Sequence, residues 1–136
     1  MQFAHQFIDI ACSYDSAMAL FSDPERLPEW AIAYCQGVER TPAGHVATTV
    51  EGPRCFDVRS DLETGVADVR TGASHDVLDD VLHVRVVPGG PELTLVSFVY
   101  APPGEVPDEV LELMRTGLRT EAEHAKQLLE QAAPAR

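Results

Sequence analysis

Six short apolar runs between residues 31 and 100 are separated by turn signals at intervals of roughly eight to twelve residues, a spacing typical of antiparallel strands. One apolar run precedes them, and a single long amphipathic segment from Pro107 to Gln131 closes the chain. Most connections are only a few residues long, whereas a parallel crossover needs about a dozen or more. The sequence therefore predicts an antiparallel meander that packs against one long helix.

The predicted strands are runs rich in β-branched and aromatic residues that end at Gly, Pro or Asp clusters. The first covers Phe3 to Tyr14, and six more follow: Ile32 to Arg40, His45 to Val50, Arg54 to Asp61, Val66 to Thr71, Asp80 to Val87 and Glu92 to Tyr100. The clearest hairpin signal, Pro88-Gly89-Gly90-Pro91, joins the last two strands.

Two short helical segments are expected between the first strand and the meander. The first covers Ala17 to Phe21, with Asp15-Ser16 or alternatively Ser13 as its cap. The second begins at Asp23-Pro24, where aspartate can cap and proline fits the first helical position. Trp30 then lies at the junction with the meander.

These elements predict an α+β fold in a single domain over residues 1–136. Its seven-stranded curved antiparallel sheet is wrapped around the C-terminal helix. About 25 helical residues at 1.5 Å each are long enough to cross a whole sheet. Gly117 lies in the middle of the apolar stripe of that helix, where glycine costs about 1 kcal/mol relative to alanine. Either close helix-to-sheet packing or cavity volume beneath the helix would explain it.

The charge balance excludes two classes of partner. The chain carries 22 acidic and 10 basic residues, a formal net charge of -12, which disfavours nucleic acid and anionic membrane surfaces. No apolar run approaches the roughly 20 residues that span a bilayer, and the N-terminus lacks an apolar signal core. A cytoplasmic location is therefore expected.

Three cysteines without a CxxC pair indicate buried thiols rather than disulfides or a zinc site.

Side chains alternate between the two faces of a strand, and this alternation identifies a candidate interior. The interior is largely aliphatic and aromatic with a few polar groups, which is typical both of a small-molecule pocket and of a filled core. The candidate ligand-binding residues are Trp30, Tyr34, Thr48, Phe56, Val58, Leu82, Val84, Phe98, Tyr100, Met114, Gly117 and Leu118. The same alternation places His45 and His83 on the outer face.

The titratable residues provide no recognisable catalytic motif, so no catalytic residue is assigned. His45, His75 and His83 are the only histidines on or between neighbouring strands of the meander, but they lack tight metal-ligand spacing, and neither a metal nor another cofactor is expected. His75 and Asp76, in the longest loop of the meander, are candidates for chemistry at a pocket rim.

The order of the elements and the segment SDPERLPEW (residues 22–30) resemble the START-like, Bet v 1-like superfamily of helix-grip proteins. The hairpin VVPGG (residues 86–90) and the long closing helix are similar to those of the bacterial polyketide cyclase/dehydrase-like branch. The resemblance covers nearly the whole chain and implies a ligand pocket between sheet and helix. Its motifs are structural, so they imply no residue-level chemistry.

Three hypotheses about function follow. The first is binding of a small hydrophobic or aromatic molecule between sheet and helix, with or without cyclase- or dehydratase-like turnover. The second is a non-enzymatic protein-interaction module with a filled core. The third is a metal-assisted enzyme that uses His45, His75 and His83. The sequence leaves open whether the chain forms a homodimer.

Overall fold

The computed structural model describes residues 1–132, in which a seven-stranded antiparallel sheet curves around one long helix. The strands are β1 (Ala4–Ile10), β2 (Gly37–Thr41), β3 (Gly44–Thr49), β4 (Gly52–Asp61), β5 (Val66–Gly72), β6 (Asp80–Gly90) and β7 (Leu93–Tyr100). Their order across the sheet is β1-β7-β6-β5-β4-β3-β2. Strands β2 to β7 therefore form a meander in sequence order, and β1 pairs with β7. The predicted α+β helix-grip fold is confirmed.

The helices are α1 (Tyr14–Ser22), α2 (Leu27–Trp30) and α3 (Asp108–Ala132), with a 3-10 turn just before α2. Ser13 is the cap of α1, because its hydroxyl accepts a hydrogen bond from the backbone N–H of Ser16 at 3.1 Å. Asp23 caps the 3-10 turn in the same way, through the N–H of Glu25 at 2.9 Å. Both short helical segments thus begin at residues that the sequence offered as caps.

The turn that precedes β2 was not predicted. Residues 31–35 form a hydrogen-bonded turn in which the carbonyl of Ala31 accepts from the N–H groups of Tyr34 and Cys35, at 3.1 and 2.8 Å. The prediction that β2 begins at Ile32 was therefore wrong, since the strand begins at Gly37. Tyr34 consequently lies on this turn, beside α3, and not on a strand.

Two other strand ends differ from the prediction by three residues or more. β1 stops at Ile10, because the chain turns into α1 within four residues. β6 continues to Gly90, since its pairing with β7 resumes after a register shift between Pro88 and Gly90. The connecting turn is consequently shorter than the sequence suggested.

The core has an aromatic centre that joins the short helices to the sheet. The ring of Phe21 packs edge-on against Trp30 and Phe98, with centroids 5.1 and 5.7 Å away, and all three side chains are fully buried. The principal contacts of α3 are with β1 and α2. The N-terminal half of α3 therefore stands over β5, β6 and β7 without close packing, and a cavity lies beneath it.

Candidate functional site

A cavity of about 650 Å³ lies between the sheet and α3. Its floor is the inner face of β5, β6 and β7, and its roof is the N-terminal half of α3. The wall is completed by α2, the turn at residues 31–35 and the connection between β3 and β4. The volume lies within the roughly 300–1,000 Å³ of known small-molecule pockets.

The mouth of the cavity is mostly apolar, although the exposed Glu51 also lies there. Val50, Val110 and Leu113 line the cavity and are also exposed to solvent, Leu113 to 72% and Val50 to 79%. The mouth therefore lies between the β3–β4 connection and the first turns of α3. Apolar side chains that face water at the entrance of a mostly apolar cavity are suited to an apolar ligand.

Gly117 lets α3 approach the turn at residues 31–35. A Cβ atom at this position would lie 3.3 Å from the Cβ of Ala33, which is tighter than an ordinary contact. Gly117 also lines the cavity. The close approach is thus made to this turn and not to the sheet, as the first explanation had it, while the position also borders the cavity, as the second had it.

A polar corner, made of Tyr34, Thr71, Asp80 and Tyr100, interrupts the apolar lining. The Tyr34 hydroxyl and the Oδ1 atom of Asp80 are buried, and neither has a hydrogen-bond partner among residues 1–132. Burial is the main cause that raises the pKa of Tyr34 and of Tyr100, and the carboxylate of Asp80 raises both further. Both phenols therefore stay protonated at neutral pH and can donate hydrogen bonds into the cavity.

Glu121 of α3 is a buried carboxyl group in the cavity wall and is only 5% exposed. Burial raises its pKa to about 7, although hydrogen bonds from the backbone N–H groups of Ala33 and Tyr34 oppose the shift. The bond from Ala33 to Oε2 is 3.1 Å long. Near neutral pH this side chain is present in both protonation states, so it can give or take a proton.

The sequence analysis did not single out Glu121, because only apolar residues and Gly117 were counted in the stripe of the C-terminal helix. The available signal was its position, since residue 121 falls on the same stripe as Gly117, Leu118, Ala122 and Ala125. An acidic residue on an otherwise apolar helix face is a candidate for a buried, functional carboxyl.

The structure separates the predicted ligand-binding residues into three groups. Half of them line the cavity, namely Tyr34, Leu82, Tyr100, Met114, Gly117 and Leu118. Most of the others pack in the core beneath or beside it, namely Trp30, Phe56, Val84 and Phe98, with Val58 partly buried against that core. The remaining one, Thr48, is exposed.

The predicted inward orientation of Thr48 was wrong. His45 lies directly opposite the fully buried Phe56 in the β3–β4 ladder, and Ala47 and Thr49 are buried. The inner face of β3 is therefore formed by His45, Ala47 and Thr49, and the prediction that His45 faces outward was wrong as well. The prediction failed because the buried face of β3 carries small and polar residues, so the outer face is the more apolar one in the sequence.

The three histidines of the metal hypothesis do not form a ligand set. His75 is hydrogen-bonded through Nε2 to the backbone carbonyl of His45 at 2.8 Å, while the ring of His45 lies 3.2 Å from the Glu25 carboxylate. His83 is exposed on the outer face of the sheet, 3.5 Å from Asp68. Within the described chain, no three His, Cys, Asp or Glu side chains are grouped so that they could hold a metal ion.

Charged residues on the outer face of the sheet pair across strands. Asp57 and Arg70 lie opposite each other in the β4–β5 ladder and are joined by a hydrogen bond of 2.8 Å.

None of the helices within residues 1–132 has the length and apolar character needed to cross a membrane.

Comparison with known proteins shows similarity in structure only. No family model matches the chain, and no curated protein matches it. The XoxI protein from Bacillus cereus superimposes with a TM-score of 0.73 at 14% identity, over 95% of this chain and 96% of that one. A START superfamily protein from Mycobacterium smegmatis gives 0.70 at 17% identity, over 97% and 99%.

The chain has the START-like, Bet v 1-like helix-grip fold. Another similar helix-grip structure is the di-domain ARO/CYC protein BexL from the BE-7585A biosynthetic pathway, with a TM-score of 0.70 at 17% identity. That match covers 93% of this chain and 46% of BexL. At such low identity these similarities establish the fold alone.

Proposed function

We propose that this helix-grip protein binds a small hydrophobic or aromatic molecule in the cavity between the sheet and α3. The observation that carries the proposal is the cavity of about 650 Å³, whose lining and mouth are mostly apolar and which has one polar corner. Transfer of an apolar ligand from water into such a site is favourable, because it removes apolar surface of both ligand and wall from solvent.

Cyclase- or dehydratase-like turnover is the finer form of this proposal. Its support is Glu121, whose pKa of about 7 suits proton transfer at neutral pH, together with the phenols of Tyr34 and Tyr100, which can orient a carbonyl or hydroxyl group. The likeness of the fold to the ARO/CYC protein BexL adds support for a polyketide-like ligand. Orientation and desolvation would supply most of the rate enhancement.

The alternative, a protein-interaction module, requires a filled core in its simplest form. The cavity weighs against it, because a pocket of about 650 Å³ between sheet and helix means that the core is not filled. The acidic surface, with its net charge of -12, leaves a basic protein partner as the most suitable one for such a module.

Native mass spectrometry of freshly purified protein, followed by denaturing extraction and small-molecule analysis, tests the proposal. We expect a mass excess from a co-purifying apolar or aromatic compound, or stoichiometric uptake of such a compound added to ligand-free protein. The same protein with Gly117→Leu, which fills the cavity, serves as the control and should show neither. A ligand-free mass combined with no uptake from a panel of neutral aromatic compounds would contradict the proposal.

A further inference from the structure

Two buried polar groups in the cavity lack hydrogen-bond partners, and they are complementary. The Tyr34 hydroxyl is a donor on the turn after α2, and Asp80 Oδ1 is an acceptor at the first residue of β6. No group within the described part of the chain meets hydrogen-bond geometry with either atom, although Tyr100 interacts with Asp80, and Thr71 and Arg54 interact with Tyr34. Because buried polar groups in folded proteins are nearly always paired, an unmatched donor and acceptor that line one cavity point to a ligand.

The two groups belong to the same corner of the cavity. Both residues line it, and each is close enough to influence ionisation there: Asp80 raises the pKa of Tyr34 and of Tyr100. Thr71, which lines the same corner, is the β5 partner of Asp80 in the sheet, and its hydroxyl donates a hydrogen bond of 3.4 Å to the backbone carbonyl of Asp80.

We propose that this corner recognises a hydroxyl group on an uncharged aromatic ligand, which accepts a hydrogen bond from Tyr34 and donates one to Asp80. The inference rests on the proposed function, since it names the class of ligand that the same cavity takes. A hydroxyl is the simplest group that offers an acceptor and a donor on one atom. An ether or a ketone offers only the acceptor and leaves Asp80 unpaired.

The charges around the cavity select against other ligand classes. Its charged lining residues are Glu51, Asp80 and Glu121, all acidic. Arg54, on the inner face of β4, lies outside the lining but near enough to lower the pKa of both phenols. A carboxylate ligand would meet like charge in a poorly solvated site. An ammonium group could pair with Asp80 but has no lone pair for the Tyr34 hydroxyl.

Binding of four matched naphthalenes at neutral pH, measured by isothermal titration calorimetry, tests this inference. The probes are 2-naphthol, 2-methoxynaphthalene, 2-naphthoate and 2-naphthylmethylamine. We expect 2-naphthol to bind the wild-type protein at least about tenfold more tightly than the methyl ether, because only the hydroxyl donates to a carboxylate. The carboxylate and the ammonium probes should both bind more weakly than 2-naphthol.

Variants locate the subsite. Tyr34→Phe and Asp80→Val should each weaken 2-naphthol binding by about tenfold, and Asp80→Val should leave the methyl ether within about twofold. Asp79→Val, at the adjacent exposed position, is the matched control and should change neither. Thermal unfolding provides a second readout: without ligand, Tyr34→Phe and Asp80→Val should unfold at or above the wild-type temperature, because each removes an unpaired buried polar group.

Failure of the inference is distinguishable from failure of the proposed function. Equal binding of 2-naphthol and its methyl ether would overturn the hydroxyl subsite and leave an apolar pocket standing. Tightest binding of the carboxylate or the ammonium probe would also overturn it. If none of the four probes binds, both the subsite and the proposed function are contradicted.

Discussion

The carboxylate of Glu121 accepts a hydrogen bond of 3.1 Å from the backbone N–H of Ala33, and this bond joins the C-terminal helix to the turn that carries Tyr34. The same contact region includes Gly117, whose missing side chain lets the helix approach Ala33. One wall of the cavity is therefore held by a buried acid whose charge depends on pH near neutrality.

Replacement of Glu121 by glutamine should change how the stability depends on pH. The pKa of this carboxyl is raised from 4.5 in the unfolded chain to about 7 in the folded protein. The folded state therefore holds a proton that the unfolded state has lost, and stability falls as the pH rises from about 4.5 through about 7. Over this pH range the free energy of unfolding falls by about 3 kcal/mol in total. Chemical denaturation measures the free energy of unfolding at pH 5 and pH 8. Relative to the wild type, Glu121→Gln should be more stable at pH 8 than at pH 5.

Glu123→Gln provides the control for this experiment, because Glu123 lies on the same helix and is exposed. It should follow the wild-type pH dependence. If the wild type and Glu121→Gln lose stability in parallel between the two pH values, the burial of an ionisable Glu121 is not a determinant of stability.

Gly117→Leu should abolish ligand binding, because it adds a large side chain at a position that lines the cavity. The Cβ atom alone already requires the contact with Ala33 to give by a few tenths of an ångström, so folding is checked by thermal unfolding. The gain of about 1 kcal/mol in helix propensity offsets part of that strain. Titration with the neutral fluorophore N-phenyl-1-naphthylamine should show at least tenfold weaker binding. Thr116→Leu, at the adjacent exposed position, should bind as the wild type does, and equal loss in both variants would exclude cavity filling as the cause.

Phe98→Ala should destabilise the protein by about 3–5 kcal/mol, as is typical of buried phenylalanines. Phe98 is fully buried against Phe21 and Trp30 and does not line the cavity, so its role is in packing. Denaturant unfolding measures the change. Val87→Ala, on the exposed outer face of β6, should stay within about 0.5 kcal/mol of the wild type. A comparably small effect of Phe98→Ala would mean that the aromatic centre is not the core of the fold.

The sequence predicted the architecture because turns and apolar periodicity are local signals. Side-chain alternation was correct on β6, where Leu82, Val84 and Val86 face inward and His83 outward. It failed on β3, where the buried Ala47 and Thr49 are less apolar than the valines on the other face. A small residue carries little hydrophobic signal even when it is fully buried.

The polar corner of the cavity could not be predicted from such signals. Tyr34 lies on a turn that was not predicted. Asp80 is the first residue of β6, where the acidic sequence resembled the end of an ordinary loop. These two residues lie at one corner because of how the turn packs against α3 and the sheet, which is a matter of tertiary packing. The burial of Glu121 also depends on tertiary packing, since it requires that this side of α3 faces the cavity.

The most direct test of the central claim is a two-dimensional ¹H–¹⁵N and methyl NMR titration of the isotopically labelled protein with 2-naphthol. Binding in the cavity predicts saturable shifts at Tyr34, Leu82, Met114 and Gly117, with little change at Val87 and Leu95 on the outer face of the sheet. Shifts confined to the outer face, or no saturable shift at any cavity residue, would contradict ligand binding between the sheet and α3.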